Sequence, residues 1–254
     1  MNYSQVYHRP QSLSEALVLL DRPDSVVLAG GTHVVPRIKE GHAKEIIDIQ
    51  KLGFHKIRLQ GERVWLGAMV SLQALAEDLL VPECLRQCAL YEGTQILRNQ
   101  ATLGGTIVVA STESEILACL LTLDAQILLA TKKGEELVPL PKFLAHPFPE
   151  KGIITAVSIL NQGIMAWERV ARTPFDRTIV SVIGRKDSSE KVRLAFCGLG
   201  KTPLILEKNS LDSFEAIEDF RGSRKYRLHL AKILSERVTS ELEKSNANSS
   251  NHKQ

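Results

Sequence analysis

The sequence predicts an α+β fold, with two α/β units in series and a small C-terminal unit built on an antiparallel three-stranded sheet with helices. Three observations predict it. Helical and strand periodicities alternate through roughly the first 55 residues, as in a small parallel unit. From Lys56 hairpin signals join the helices, and this second pattern continues to about residue 160. Beyond Asn161-Gln162-Gly163 three strand-like runs follow one another across turns, and helical periodicity then returns.

In the first unit, Ser12 is the expected N-cap of a helix, with Glu15 completing a capping box. Leu13, Ala16, Leu17 and Leu20 recur at helical spacing, and Asp21-Arg22-Pro23-Asp24 ends the run. Val26–Leu28 is a strand, a glycine loop follows, Pro36–Gly41 leaves that loop, and Glu45–Ile49 is the next strand. The second unit opens with a hairpin, Ile57–Leu59 and Val64–Leu66, turning at Gln60-Gly61-Glu62. Ser71 caps a helix, Pro82 begins another, and a second glycine segment comes next. Glu115–Leu123 is an apolar helix, and Ala125–Ala130, Glu136–Leu140 and Gly152–Leu160 are strands. The third unit, residues 161–244, holds strands Met165–Val170, Thr178–Arg185 and Val192–Leu199. Helices near Ser213–Phe220 and across Ser223–Leu242 close it, and the polar tail 245–254 is expected to be disordered.

Composition narrows the function classes. A net charge of +3, with the charges interspersed, is too mild for a nucleic-acid binder. Apolar runs are too short to span a membrane, and the N-terminal residues lack a signal-peptide core, so cytoplasm is the expected compartment. Cys84, Cys88, Cys119 and Cys197 show no C-x-x-C pairing and read as reduced core residues, which leaves no iron–sulfur cluster to this chain. The run Arg221, Arg224, Lys225, Arg227 and Lys232 reads as a solvated helix face.

The chemistry concentrates in two glycine segments. In Val27-Leu28-Ala29-Gly30-Gly31-Thr32-His33-Val34 a strand runs into a turn with little side-chain bulk. Consecutive backbone N–H groups in such a turn form a nest for phosphate or pyrophosphate, and Thr32 adds a hydroxyl donor. Arg98-Asn99-Gln100-Ala101-Thr102-Leu103-Gly104-Gly105-Thr106-Ile107 repeats that chemistry. Two nests in one chain point to a ligand with two phosphates, or to one pyrophosphate held from both sides. Neither segment matches G-x-G-x-x-G or the P-loop.

These two segments, with Leu120-Leu121-Thr122-Leu123-Asp124-Ala125 and the C-terminal Phe220-Arg221-Gly222-Ser223-Arg224-Lys225-Tyr226-Arg227-Leu228-His229-Leu230, resemble the FAD-binding medium subunit of molybdenum hydroxylases. This is the xanthine dehydrogenase and carbon monoxide dehydrogenase flavoprotein family. The resemblance implies a PCMH-type FAD-binding domain of two subdomains and a C-terminal domain of the CO dehydrogenase flavoprotein type. It places FAD between the subdomains, its pyrophosphate on Val27–Val34 and against Thr102, Leu103, Gly104, Gly105 and Thr106, and a sugar contact on Glu115. It assigns no covalent catalyst to the chain. It implies a molybdopterin-binding large subunit and a [2Fe–2S] small subunit as partners, with NAD or another acceptor receiving the electrons. The chain departs from the family pattern at His33, Thr106 and Ser111–Glu115. A self-contained flavin oxidase and a flavin-free assembly subunit are the other readings of the same residues.

Overall fold

A computed structural model describes residues 5–39, 44–145, 151–174 and 176–250. Among them are three sheets. The first is parallel and small, in the order β1 (Val6–His8), β3 (Glu45–Asp48), β2 (Ser25–Leu28). Helix α1 (Leu13–Leu20) covers it, burying Ala16, Leu17, Leu19 and Leu20. Ser12 caps α1 as expected, accepting from the Glu15 N–H at 3.2 Å, but the Glu15 carboxylate accepts from Gln11 N at 2.8 Å and so closes the box one residue early. Strand β1 lies outside the expected elements. Its three residues are too few to show a period, and it is fixed by pairing in parallel with β3, Tyr7 opposite Ile46. The exit from the first glycine loop is also ordered, as helix α2 (Val34–Lys39). Pro36 sits in its first turn, where a missing N–H costs nothing. The expected exit continues to Gly41, outside the described residues.

The second sheet is antiparallel, in the order β4 (Ile57–Gln60), β5 (Arg63–Gly67), β8 (Ile153–Leu160), β6 (Gln126–Thr131), β7 (Gly134–Pro139). Helices α3 (Leu72–Glu77), α4 (Glu83–Tyr91), α5 (Gln95–Gln100), α6 (Leu103–Val109) and α7 (Glu115–Thr122) interrupt it between β5 and β6. Every residue of α7 is buried. It is apolar on all sides because it packs on α4 and also touches the third sheet. A short helix, α8 (Leu140–Ala145), follows β7. Met69, Ala130 and Ile153 join the core under α1, so the first two sheets share apolar contacts.

The third sheet is antiparallel, in the order β12 (Leu204–Ile205), β11 (Val192–Cys197), β10 (Val180–Lys186), β9 (Ile164–Val170). A two-residue fourth strand therefore extends the expected three. Helix α9 (Arg224–Ser250) lies on β9 and β10. A Cβ on Gly184 would sit 2.5 Å from Val238 Cγ1, so the glycine in β10 sets how closely α9 approaches. Helix α9 continues past its expected end at Leu242 to Ser250, so residues 245–250 of the tail expected to be disordered are helical, and residues 251–254 lie outside the described residues.

Two expectations in this part are corrected. Ser213–Phe220 is not a helix. A 3-10 turn covers Lys208–Asp212, and the Ile217 N–H then donates to the Leu199 carbonyl at 2.8 Å, tying the segment to the end of the sheet. Arg227 is no part of a solvated face, because it is fully buried. Its guanidinium donates to the carbonyls of Ile179 at 2.7 Å and Gly198 at 2.9 Å, and pairs with Asp219 at 2.5 Å. A buried arginine is tolerated where its donors all find acceptors.

The four cysteines are buried core residues, as expected. The thiols of Cys84, Cys88 and Cys119 lie within 4.8 Å of one another. Its hydrogen bond with Cys119 pushes the Cys84 thiol well up, and burial does the same for Cys119 and Cys197. Neutral, enclosed thiols are poor nucleophiles. The native chain should leave Ellman's reagent unreacted and release four thiols only on denaturation; fast labelling of the folded chain would contradict the packing.

Candidate functional site

A cavity of about 900 Å³ opens between the first two sheets. That volume lies at the upper end for ligand sites, and suits a dinucleotide-sized molecule. The two glycine segments form facing parts of its wall. They meet directly. A Cβ on Gly30 would fall 1.8 Å from the Gln100 carbonyl oxygen, so only glycine lets the two backbones touch.

The segments supply different things. Gly31 adopts φ +74°, the left-handed conformation that turns the chain from β2 into α2. Among the described residues, the N–H groups of Gly30, Gly31, Thr32 and His33 donate to no protein acceptor. Four consecutive donors beside a cavity form an anion nest. The second Gly-Gly is not a nest, which corrects the expectation of two. It occupies the first turn of α6, and its N–H groups have protein acceptors. Leu103 N donates to Val70 O at 3.0 Å, Gly104 N to Ala68 O at 2.8 Å and Thr106 N to Thr102 O at 2.9 Å. Gly105 N donates to Oγ1 of Thr102, the N-cap. What this segment offers is proximity. Beyond the backbone of its own helix and its chain neighbours, a Cβ on Gly105 would meet only Thr102 Oγ1, at 3.0 Å, within 4 Å, so the wall there is bare backbone.

Of the expected site residues, Val27, Ala29, Gly30, Gly31, Thr32, His33, Val34, Thr102, Gly104, Gly105 and Thr106 line the cavity. Leu28 and Leu103 do not. Leu28 packs with Ile38 and Ile46, and Leu103 is fully buried in the main core. Glu115 does not either. It starts α7 facing the third sheet, where it accepts from Arg169 Nε at 3.2 Å. Burial pushes its carboxyl up to about 7 against the pull of Arg169. Its expected sugar contact is therefore corrected to a buried ion pair between β9 and α7.

The sequence reading missed the charged wall. Arg37, Arg98, Lys151, Glu92 and Arg177 all reach the cavity. Arg98 is committed to the protein, donating to the carbonyls of Gly93 at 2.6 Å and Leu90 at 3.1 Å. Glu92 ends α4 and is buried, and burial raises its carboxyl above the usual range although Ser114 donates to it. Arg177 arrives from the turn between β9 and β10. Glu92 falls between the helix expected from Pro82 and the second glycine segment, and Arg177 just before the expected strand Thr178–Arg185, so no periodicity marks either residue.

The N-terminal residues 1–159 match the family model described as the FAD binding domain in molybdopterin dehydrogenase. The chain belongs to this family. It is 27% identical to the xanthine dehydrogenase FAD-binding subunit of Escherichia coli O157:H7, over 92% of this chain and 94% of that one. It is 28% identical to the uncharacterized protein YgfM of Escherichia coli strain K12, over 90% and 92%. Its fold matches carbon monoxide dehydrogenase from Hydrogenophaga pseudoflava with a TM-score of 0.82, at 23% identity, covering 93% of this chain and 96% of that one. The cofactor of this FAD-binding subunit is FAD, and the residues present fit it. The unclaimed N–H groups of Gly30 to His33 suit the pyrophosphate, the bare backbone at Gly105 admits it closely, and the cavity has the size of the whole molecule. Among the described residues, no helix is long and apolar enough to cross a membrane.

Proposed function

We propose that this FAD-binding subunit carries electrons within a molybdenum hydroxylase complex that oxidises a purine of the xanthine type. In this reading a molybdopterin-binding large subunit oxidises the substrate and a [2Fe–2S] small subunit relays the electrons. The flavin passes them to NAD⁺ or another acceptor, in the cytoplasm. The observation that carries the purine assignment is similarity to the xanthine dehydrogenase subunit along nearly the whole of both chains. In the same reading residues 1–160 form the flavin domain, as subdomains of about 1–55 and 56–160, and 161–244 the domain that flanks it.

Bound FAD supplies a ring that accepts and returns electrons, so the side chains need only bind, orient and exclude water. The Gly30–His33 amides would hold the pyrophosphate and Thr32 would add a hydroxyl donor, while the Thr106 hydroxyl already donates to the Thr102 carbonyl at 3.1 Å. Leu20, Ile49, Leu129 and Ile153 line part of the cavity with buried apolar side chains that exclude water there.

The test is substrate oxidation by the purified chain, free of molybdenum and iron. It should bind FAD and oxidise neither purines nor aldehydes with any acceptor. Purine oxidation should appear on reconstitution with the two partner subunits, above the rates for nicotinate and glyceraldehyde. Turnover by the single chain would favour a self-contained oxidase, and preference of the complex for another substrate would sink the purine assignment.

A further inference from the structure

Part of the cavity lining is deeply buried, with Leu20, Ile49, Leu129 and Ile153 each less than 10% exposed. Exposed lining residues include Thr32, His33, Arg37 and Lys151 and, where α6 ends, Val108 at 67% and Val109 at 40%. In the reading above the pyrophosphate takes the first glycine loop, so a redox ring that trades electrons with another molecule reaches the surface at the end of α6. Arg177 stands there, in contact with Ser111 just beyond α6.

The contacts of Arg177 set it apart from its neighbours. Its guanidinium is 4.0 Å from Glu92 Oε2 and 4.0 Å from Glu113 Oε2, and it donates to Ser111 Oγ at 3.3 Å and to the Glu92 carbonyl at 3.5 Å. All four lie at the outer limit for such bonds. Arg169, close by in the same unit, instead donates to Asp176 O at 2.7 Å and lies 4.2 Å over the Tyr91 ring. Neither carboxylate neutralises Arg177 fully. Glu113 is bonded to Arg221 and to the Ser111 hydroxyl, which with the Arg221 charge hold its carboxyl below the usual range against burial. Glu92 is buried, accepts from Ser114, and is disfavoured as an anion. The result is a guanidinium with spare donors in the wall of the cofactor cavity, beside the exposed end of α6.

We propose that Arg177 is a positioning residue that sets the redox potential of the bound flavin, its charge favouring the reduced ring. The proposal rests on the electron-transfer reading above. Reduction by two electrons and one proton leaves a flavin ring with one more negative charge at neutral pH. A fixed cation near the ring favours that state over the oxidised one, and a partly enclosed cavity weakens the field less than water does. The C-terminal unit thereby contributes a functional group to a site built otherwise from the first 160 residues.

The experiment measures the flavin midpoint potential of the FAD-loaded chain during dithionite reduction against a reference dye. The variants are Arg177→Gln and Arg177→Lys, with Arg172→Gln as control. Arg172 carries the same charge in the same turn, but it is exposed and pairs with Asp176. Arg177→Gln should disfavour reduction about tenfold, a fall of roughly 30 mV for a two-electron couple. Arg177→Lys should recover at least half of that, and Arg172→Gln should move the potential by less than a third of it. Equal potentials for Arg177→Gln and Arg172→Gln at full FAD content would overturn the proposal and leave the cofactor assignment standing. A lysine variant no better than glutamine would assign the effect to packing and overturn it too. Wild-type chain that takes up no FAD would overturn both.

Discussion

Gly105→Val is expected to give a folded chain that binds almost no flavin, and Gly30→Ala one that loses both flavin and stability. The two glycines face different obstacles. A Cβ at Gly105 meets one atom beyond its own helix backbone and chain neighbours, Thr102 Oγ1 at 3.0 Å, and Gly105 lines the cavity. Valine there sits at a helical position that tolerates a side chain better than it tolerates glycine. The fold should persist while the branched methyls occupy the space of the cofactor, with FAD affinity falling by about 100-fold or more, a loss of about 2.7 kcal/mol. At Gly30 the added carbon would lie 1.8 Å from the Gln100 carbonyl oxygen. Both partners are backbone, so the contact can be relieved only by parting the two glycine segments. Overpacking typically costs about 1–3 kcal/mol, and at the upper end of that range a chain of this size should lose roughly 6–12 °C of melting temperature. Flavin absorbance per protein and a thermal melt on each variant separate the two mechanisms. Full FAD content in Gly105→Val would place the pyrophosphate elsewhere. An unchanged melt in Gly30→Ala would mean that the segments do not touch.

The contrast between these glycines shows what the sequence can and cannot convey. The first loop was legible because strand, paired glycines and Thr32 specify a local object, a turn whose amides have no local acceptor. The second segment repeats the composition, yet its amides are taken up by the carbonyls of Ala68 and Val70, more than thirty residues earlier. No local pattern announces such a partner, so a helix N-terminus was read as a second nest. The same limit explains Arg227. Its neighbours Arg221, Arg224 and Lys225 give the run the look of a wet helix face. Its acceptors are the carbonyls of Ile179 and Gly198, supplied by the far sheet. Alternating and helical periodicities, by contrast, are consequences of local geometry. They located most strands and helices of the three sheets to within a few residues, and failed where an element was too short to show a period, as in Val6–His8 and Leu204–Ile205. Apart from Arg98, which opens the second glycine segment, the charged residues of the cavity wall have no local signature. Glu92 and Arg177 lie 85 positions apart and come together only through tertiary structure.

Glu115 provides the other large expected effect, and it distinguishes a buried structural acid from a cofactor ligand. Its carboxyl titrates near 7 in the folded chain, against 4.5 ordinarily, because burial outweighs the attraction of Arg169. Below pH 4.5 folded and unfolded chains both hold the proton, and the group favours neither. Between 4.5 and about 7 the folded chain keeps a proton that the unfolded chain has released, so stability falls as pH rises. Above 7 the full penalty applies, about 3 kcal/mol. Glutamine matches the protonated acid in shape and charge. Glu115→Gln should therefore equal wild type in stability at pH 4.5 and exceed it at pH 8 by up to about 3 kcal/mol. Arg169 would remain anchored to the carbonyls of Pro174 and Asp176 and over the Tyr91 ring. Flavin content should be unchanged, since Glu115 lies outside the cavity lining. Urea unfolding of both proteins at the two pH values checks the first part and flavin absorbance the second. A variant less stable than wild type at pH 8 would show that the attraction of Arg169 outweighs the cost of burying the Glu115 carboxylate. A variant that loses FAD would return Glu115 to the cofactor site.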